Sequence, residues 1–165
     1  MAADVEPFEF LGSDGQKLSA RIHLPAVDPV AWAVFAHCFT CSKDSRAARY
    51  VSSALAEKGI ATLRFDFTGL GESEGEFGDT TFAHDVEDIV AAANALRESY
   101  RAPALLIGHS RGGSAVLAAA EQIPETVGVA TIGAPFDQKN CSAEQIGSMK
   151  KALVVFHSPQ DKVVG

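Results

Sequence analysis

Tryptophan occurs once, methionine twice and cysteine three times in this chain of 165 residues. An odd cysteine count without a secretion signal excludes a disulfide-built secreted scaffold and fits a reducing compartment. Basic residues are scarce as well: 14 Lys and Arg stand against 21 Asp and Glu, a net charge of −7 with the two signs interspersed. A nucleic-acid binder shows a basic face, and the sequence has no such cluster. No apolar run approaches the ~18 residues that span a bilayer. The N-terminus, MAADVEPFEF, is acidic where a signal peptide is basic and then apolar. No repeat, low-complexity tract or linker interrupts the chain. Hydrophobic residues make up 47% and charged residues 21%, over a length that buries one core. The expectation is therefore a single cytoplasmic domain over residues 1–165, without membrane or nucleic-acid partners.

What is present is an alternation. Two extended stretches flank Ser13-Asp14-Gly15 and read as a hairpin. AWAVFAHC is a nearly continuous apolar run, as in a strand buried on both faces. Asp44 can cap a helix whose apolar stripe is Ala47, Tyr50, Val51, Ala54 and Leu55, ended by Gly59. IATLRFDF is a second buried strand, followed by the loop TGLGESEG. Thr80 or Thr81 opens a long helix with Phe82, Val86, Ile89, Val90, Ala93 and Leu96 at helical spacing. PALLIG, VGVATIG and ALVVFH supply three further strands, with GGSAVLAAAE a small-residue helix between the first two. Strands alternating with helices predict an α/β fold: a mainly parallel, doubly wound sheet with an N-terminal antiparallel hairpin.

Gly108-His109-Ser110-Arg111-Gly112-Gly113 lies between a buried strand and the small-residue helix. A G-x-S-x-G string is common, but a strand, a sharp turn and a small-residue helix are what a nucleophile needs. The turn lifts the Ser110 hydroxyl above the sheet edge. Strand and helix approach so closely there that side chains at 108 and 112 would collide, hence Gly108 and Gly112. The helix also aims its first amides at any anion forming beside the serine.

Upstream, AHCFTCSKD places Cys38 and Cys41 at a spacing shared by redox dithiols and zinc ligands. The same position, after a buried strand, is where an oxyanion loop sits. Zinc needs about four ligands, and Cys141 and the histidines form no second pair, so no metal is expected. The loop DFTGLGES lacks a full G-x-G-x-x-G, so no nucleotide cofactor is expected either, and Asp66 reads as a cap for backbone amides.

The order of elements, GHSRGG, DFTGLGES and HSPQDKVV resemble the α/β-hydrolase superfamily. FAHCFTCSKD with RFDFTGLGESEG is similar to the hydrolase domain that bacteria fuse to an OsmC-like domain, of which no part is present. The resemblance implies a serine hydrolase acting on a small-molecule carboxylic ester or thioester. It implies that the amides of Phe39 and Arg111 hold the oxyanion and that Asp161, in H-S-P-x-D-x-x-V, is the triad acid, with Asp137 as the fallback. Cys38 and Cys41 then become small, half-buried residues packed under the loop.

The triad histidine should follow Asp161, and none of the five histidines occupies that place. His23 belongs to the hairpin, His37 braces the oxyanion loop, His84 flanks a helix, His109 points out of the elbow and His157 shapes the Asp161 loop. The expectation is a C-terminally truncated domain with no lid, whose last strand is an exposed edge open to self-association. The competing readings are a catalytically incompetent hydrolase-fold module and a thiol redox protein working through Cys38 and Cys41.

Overall fold

The computed structural model describes residues 4–136 and 142–161. Two strands, β1 (Asp4–Leu11) and β2 (Lys17–Leu24), form the hairpin, with Leu11 opposite Lys17 and a turn closed by Gly12 N–H donating to Gln16 O at 2.8 Å. β3 (Ala31–Ala36), β4 (Ile60–Phe65), β5 (Leu105–His109), β6 (Gly128–Ile132) and β7 (Ala152–Phe156) complete a seven-stranded sheet in the order β1-β2-β4-β3-β5-β6-β7. β2 runs antiparallel to β4, and β4, β3, β5, β6 and β7 are parallel to one another. The expected α/β architecture is present, antiparallel hairpin included.

Period-two alternation divides the sheet residues between two faces. Trp32, Val34 and Ala36 pack under α2 (Phe82–Ser99) and α3 (Arg111–Ala119), together with Ile89, Leu96 and Val116. Ala33, Phe35 and Ile107 face the other way, against Ala48 of α1 (Arg46–Glu57). This second face is only partly covered. Beside α1 an apolar groove of about 780 Å³ runs over β5, β6 and β7, lined by Val51, Leu55, Ile107, Ala130, Val154 and Phe156.

Two local expectations are corrected. Asp44 does not cap α1. Ser45 does, its hydroxyl accepting from Ala48 N–H, because Asp44 is drawn to Arg64 at 2.6 Å. The buried face of α1 is Ala48, Ser52 and Ala56, whereas Tyr50 is 69% exposed. β7 pairs with β6 and exposes Val154, Val155 and Phe156, the exposed edge expected of the last strand. The polar stretch before it contains a short helix, α4 (Ala143–Ser148), opened by Ser142 and Gln145 each bonding the other's backbone amide. Asp137 and Cys141 lie outside the described residues.

Candidate active site

β3 and β5 are parallel neighbours with Ala36 opposite Gly108, so the chain leaves both strands at the same end of the sheet. The loop from His37 therefore lies beside the turn at Ser110. Ser110 has φ 53° and ψ −123°, a backbone conformation that a side-chain-bearing residue rarely adopts. The turn is held by Ser110 N–H donating to Ile132 O and by Gly113 N–H donating to Ser110 O, each at 2.8 Å. A Cβ on Gly108 would come within 2.2 Å of Gly112 O, and one on Gly112 within 2.4 Å of the Ala36 and His37 carbonyl oxygens. Glycine at these positions lets α3 start directly against the His37 loop. Arg111, the first residue of α3, carries an amide with no intrahelical acceptor.

His37 is 1% exposed and uses both ring nitrogens. Nδ1–H donates to Cys38 O at 2.7 Å, and Nε2 accepts from Phe67 N–H at 3.3 Å. Burial pushes its pKa below the usual histidine value despite the opposing bond to Cys38 O. It is a neutral brace. Cys41 N–H donates to Cys38 O at 3.1 Å, a turn that brings the two Cα atoms to 5.2 Å, and a disulfide joins Cys38 to Cys41. Both cysteines are half-buried, as expected, but they are joined to each other rather than simply packed under the loop. Between them, Thr40 has φ 61°, and the half-exposed Phe39 ring meets the Phe77 ring edge-on at 5.2 Å.

The far end of this loop is anchored by a buried ion cluster. Asp66, fully buried, accepts from Lys43 N–H at 2.6 Å, from Lys43 Nζ at 2.7 Å and from Glu72 N–H at 3.0 Å. Lys43 Nζ also meets Glu72 Oε2 at 2.6 Å. Burial alone would lower the Lys43 pKa, but its bonds to Asp66 and Glu72 outweigh that and raise it. Gly71, at φ 56°, is needed here because a Cβ would fall 2.2 Å from Asp66 Oδ2. The neighbouring Arg64 donates from Nε to His23 Nε2 at 2.8 Å and holds Asp44, whose pKa is lowered because Arg64 and Lys43 outweigh its partial burial.

The Arg111 side chain turns inward. Its Nε donates to Asp85 Oδ2 at 2.5 Å, and its guanidinium carbon sits 5.5 Å from the Phe39 ring centre and 5.9 Å from that of Phe82. Asp85 is 3% exposed, and burial raises its pKa against the pull of Arg111. Behind it, Asp88 accepts from Thr68 N–H at 2.8 Å and Thr68 Oγ1 at 3.0 Å, and burial pushes its pKa up to about 6. Sequence reasoning passed over Asp85 and Asp88, although both fall on the apolar stripe of α2, where a carboxylate must have a partner.

Asp161 lies in the loop after β7, its N–H donating to Ser158 O at 3.0 Å. Its carboxylate approaches the end of β6, Oδ2 being 3.9 Å from where a Gly133 Cβ would stand. Ser110 and Asp161 thus occupy the same rim of the sheet, at the ends of β5 and β7 with β6 between. The histidines are dispersed. His23 is tied to Arg64, His37 is a brace, and His84 accepts from Thr81 N–H at the start of α2 at 3.0 Å. His109 is half-buried, with its pKa lowered by burial, and His157 follows the exposed β7. Among the described residues no group of three or more His, Cys, Asp or Glu could hold a metal ion. No helix among them is long and apolar enough to cross a membrane.

Residues 29–164 match the sequence profile of the family described as serine aminopeptidase, S33. The crystal structure of an esterase domain from a Rhodothermus marinus protein superposes with a TM-score of 0.81 at 38% identity, covering 98% of this chain and 79% of that one. Rat (Rattus norvegicus) monoglyceride lipase is 33% identical over 117 residues, 68% of this chain and 37% of that enzyme. The mitochondrial palmitoyl-protein thioesterase ABHD10 of Mus musculus is 36% identical over 75 residues, 46% of this chain and 24% of that one. The chain thus spans about a third or less of the length of these two relatives. A lidless serine hydrolase from Xanthomonas campestris shares the fold, with a TM-score of 0.73 at 20% identity over 94% of this chain and 84% of that one.

Proposed function

Because the chain belongs to the serine aminopeptidase S33 family of the α/β-hydrolase superfamily, we propose that it carries the nucleophile half of a serine hydrolase acting on small carboxylic esters or thioesters. The observation that carries the reading is Ser110, set in a strained turn where β5 runs into α3 and faced by the His37 loop. Its relatives are named esterase, monoglyceride lipase and thioesterase, which favours ester or thioester substrates over the peptides of the family's label.

In this reading the Ser110 hydroxyl attacks the acyl carbon while its proton passes to a histidine oriented by Asp161. The amides of Phe39 and Arg111 stabilise the tetrahedral oxyanion, the alcohol or thiol leaves, and water releases the acid from the acyl-serine. The Asp85 bond neutralises Arg111, so its guanidinium offers no unpaired charge to an anionic acyl group. The five histidines of this chain are dispersed and all precede Asp161, whereas in this reading the base follows it in chain order. That same dispersal favours, as a second reading, a non-catalytic module that keeps the fold.

A fluorophosphonate probe tests the proposal. Ser110 should be labelled slowly in the 165-residue chain and quickly in a chain extended to include a histidine after Asp161. Ser110→Ala should abolish labelling in both. Labelling at another residue overturns the assignment of Ser110. Equal rates in the two chains would make His157 or His37 the base to test.

A further inference from the structure

The disulfide between Cys38 and Cys41 closes a ring around Phe39 and Thr40, and Phe39 is the residue whose amide the hydrolase reading assigns to the oxyanion. We propose that this pair is a thiol–disulfide exchange site, and that its redox state sets the order of the oxyanion loop. The link to catalysis rests on the serine-hydrolase reading; the exchange site and its effect on the loop do not.

A disulfide stabilises a fold mainly by closing long loops in the unfolded chain, so a pair three residues apart contributes little to the domain as a whole. Its effect is local. Both ends of the loop are held without it: His37 bonds Cys38 O and Phe67 N–H on one side, and Lys43 N–H is fixed to Asp66 on the other. Reduction therefore frees the tip and leaves the domain folded. At that tip Thr40 sits at φ 61°, a conformation a β-branched residue avoids unless its surroundings hold it there. Neither Phe39 nor Thr40 is buried, so the tip is held by the covalent ring together with the Cys41 N–H bond to Cys38 O and the Phe77 and Arg111 contacts.

The pair is also reachable. Both cysteines are only part-buried, and exchange requires a thiolate to approach one sulfur in line. A dithiol supplies the electrons. One of its thiolates attacks Cys38 or Cys41, forming a mixed disulfide and releasing the other protein sulfur as thiolate. The second thiol of the reagent then displaces the protein, leaving two protein thiols and a cyclic disulfide. Two electrons and two protons move, and the reverse reaction re-forms the ring. A loosened Phe39 amide is not a lost one, so the change in rate is modest.

The test equilibrates the full chain in mixtures of oxidised and reduced dithiothreitol, counts free thiols with a maleimide reagent, and follows two readouts. Amide hydrogen exchange over residues 38–42 should rise as thiols appear, with the rest of the sheet unchanged. Ser110 labelling by the fluorophosphonate should fall about three- to tenfold along the same titration, less than the 10²–10³ expected when an oxyanion donor is deleted outright. Cys38→Ser/Cys41→Ser should sit at the reduced level in both readouts and ignore the reagent. Full reduction with unchanged exchange overturns the proposal, as does a pair that the reagent cannot reduce in the folded protein. If Ser110 fails to label in either state while exchange still follows the thiols, the hydrolase reading falls and the exchange site stands.

Discussion

Arg111 Nε and Asp85 Oδ2 stand 2.5 Å apart, tying the residue that follows Ser110 to the first turn of α2. The bond cancels the positive charge of the residue next to Ser110. In Asp85→Asn the guanidinium keeps a neutral partner but regains its net charge. Ser110 acylation by an ester with a carboxylate at the end of its acyl chain should then gain about three- to tenfold relative to its neutral counterpart, the scale of one unscreened charge at a partly wet site. A matched pair of nitrophenyl esters measures the ratio. An unchanged ratio would place the acyl group away from Arg111.

Lys43→Met leaves Asp66 buried with two backbone donors and no counter-charge. Removing one partner of a buried ion pair costs about 3–5 kcal/mol, so the urea midpoint should drop steeply. Adding Asp66→Asn should recover part of the loss, because the uncompensated charge is gone. The double-mutant cycle tests this, and strictly additive losses would mean that the two side chains stabilise the fold independently.

Acid should weaken the fold through His23. Burial, reinforced by Arg64, holds its pKa at about 4 in the folded chain, against ~6.5 when unfolded. Between those values the unfolded state binds the extra proton, so stability is intact above ~6.5 and falls as pH drops towards 4, by up to about 3 kcal/mol. Asp88 works in the opposite sense. Its carboxyl is raised to about 6, so acidification below that value favours the folded form. His23→Gln keeps an acceptor for Arg64 and does not titrate. Its urea midpoint should therefore hold or rise between pH 7 and pH 4.5, where the parent's declines. Parallel curves would show that His23 is not the source.

β7 is paired on one side only among the described residues, and it exposes Val154 at 49% and Phe156 at 59%. Such an edge invites a second strand. The 165-residue chain should sediment as concentration-dependent oligomers, and Val154→Lys should move the distribution towards monomer. A monomeric parent that unfolds cooperatively at high temperature would show that this edge is not adhesive.

The parts legible in the sequence are those dictated by short-range sterics. β3 and β4 read as strands because every residue of an apolar run must be buried on one face or the other. Gly108, Gly112 and the loop after β4 read as tight turns because no side chain fits there. Cys38 and Cys41 did not yield to the same reasoning. Their spacing serves a disulfide, a metal site or simple packing equally, and only the turn that brings their Cα atoms together decides. Asp85 with Arg111, and Lys43 with Asp66, are pairs across separate elements, and sequence spacing carries no trace of such partners. Ser45 displaced Asp44 as the cap of α1 for the same reason, since Arg64 claims the aspartate from another strand.

The open groove beside α1 has a calorimetric consequence. Unfolding raises heat capacity by roughly 12–15 cal/mol/K per residue, mostly from apolar surface newly exposed to water. The apolar atoms lining the groove, among them Leu55, Val154 and Phe156, already touch water in the folded chain and drop out of that difference. The heat-capacity increment should therefore fall below that of a fully packed domain of equal length, giving a flatter stability curve and a shallower denaturant slope. Whatever covers the groove would steepen both.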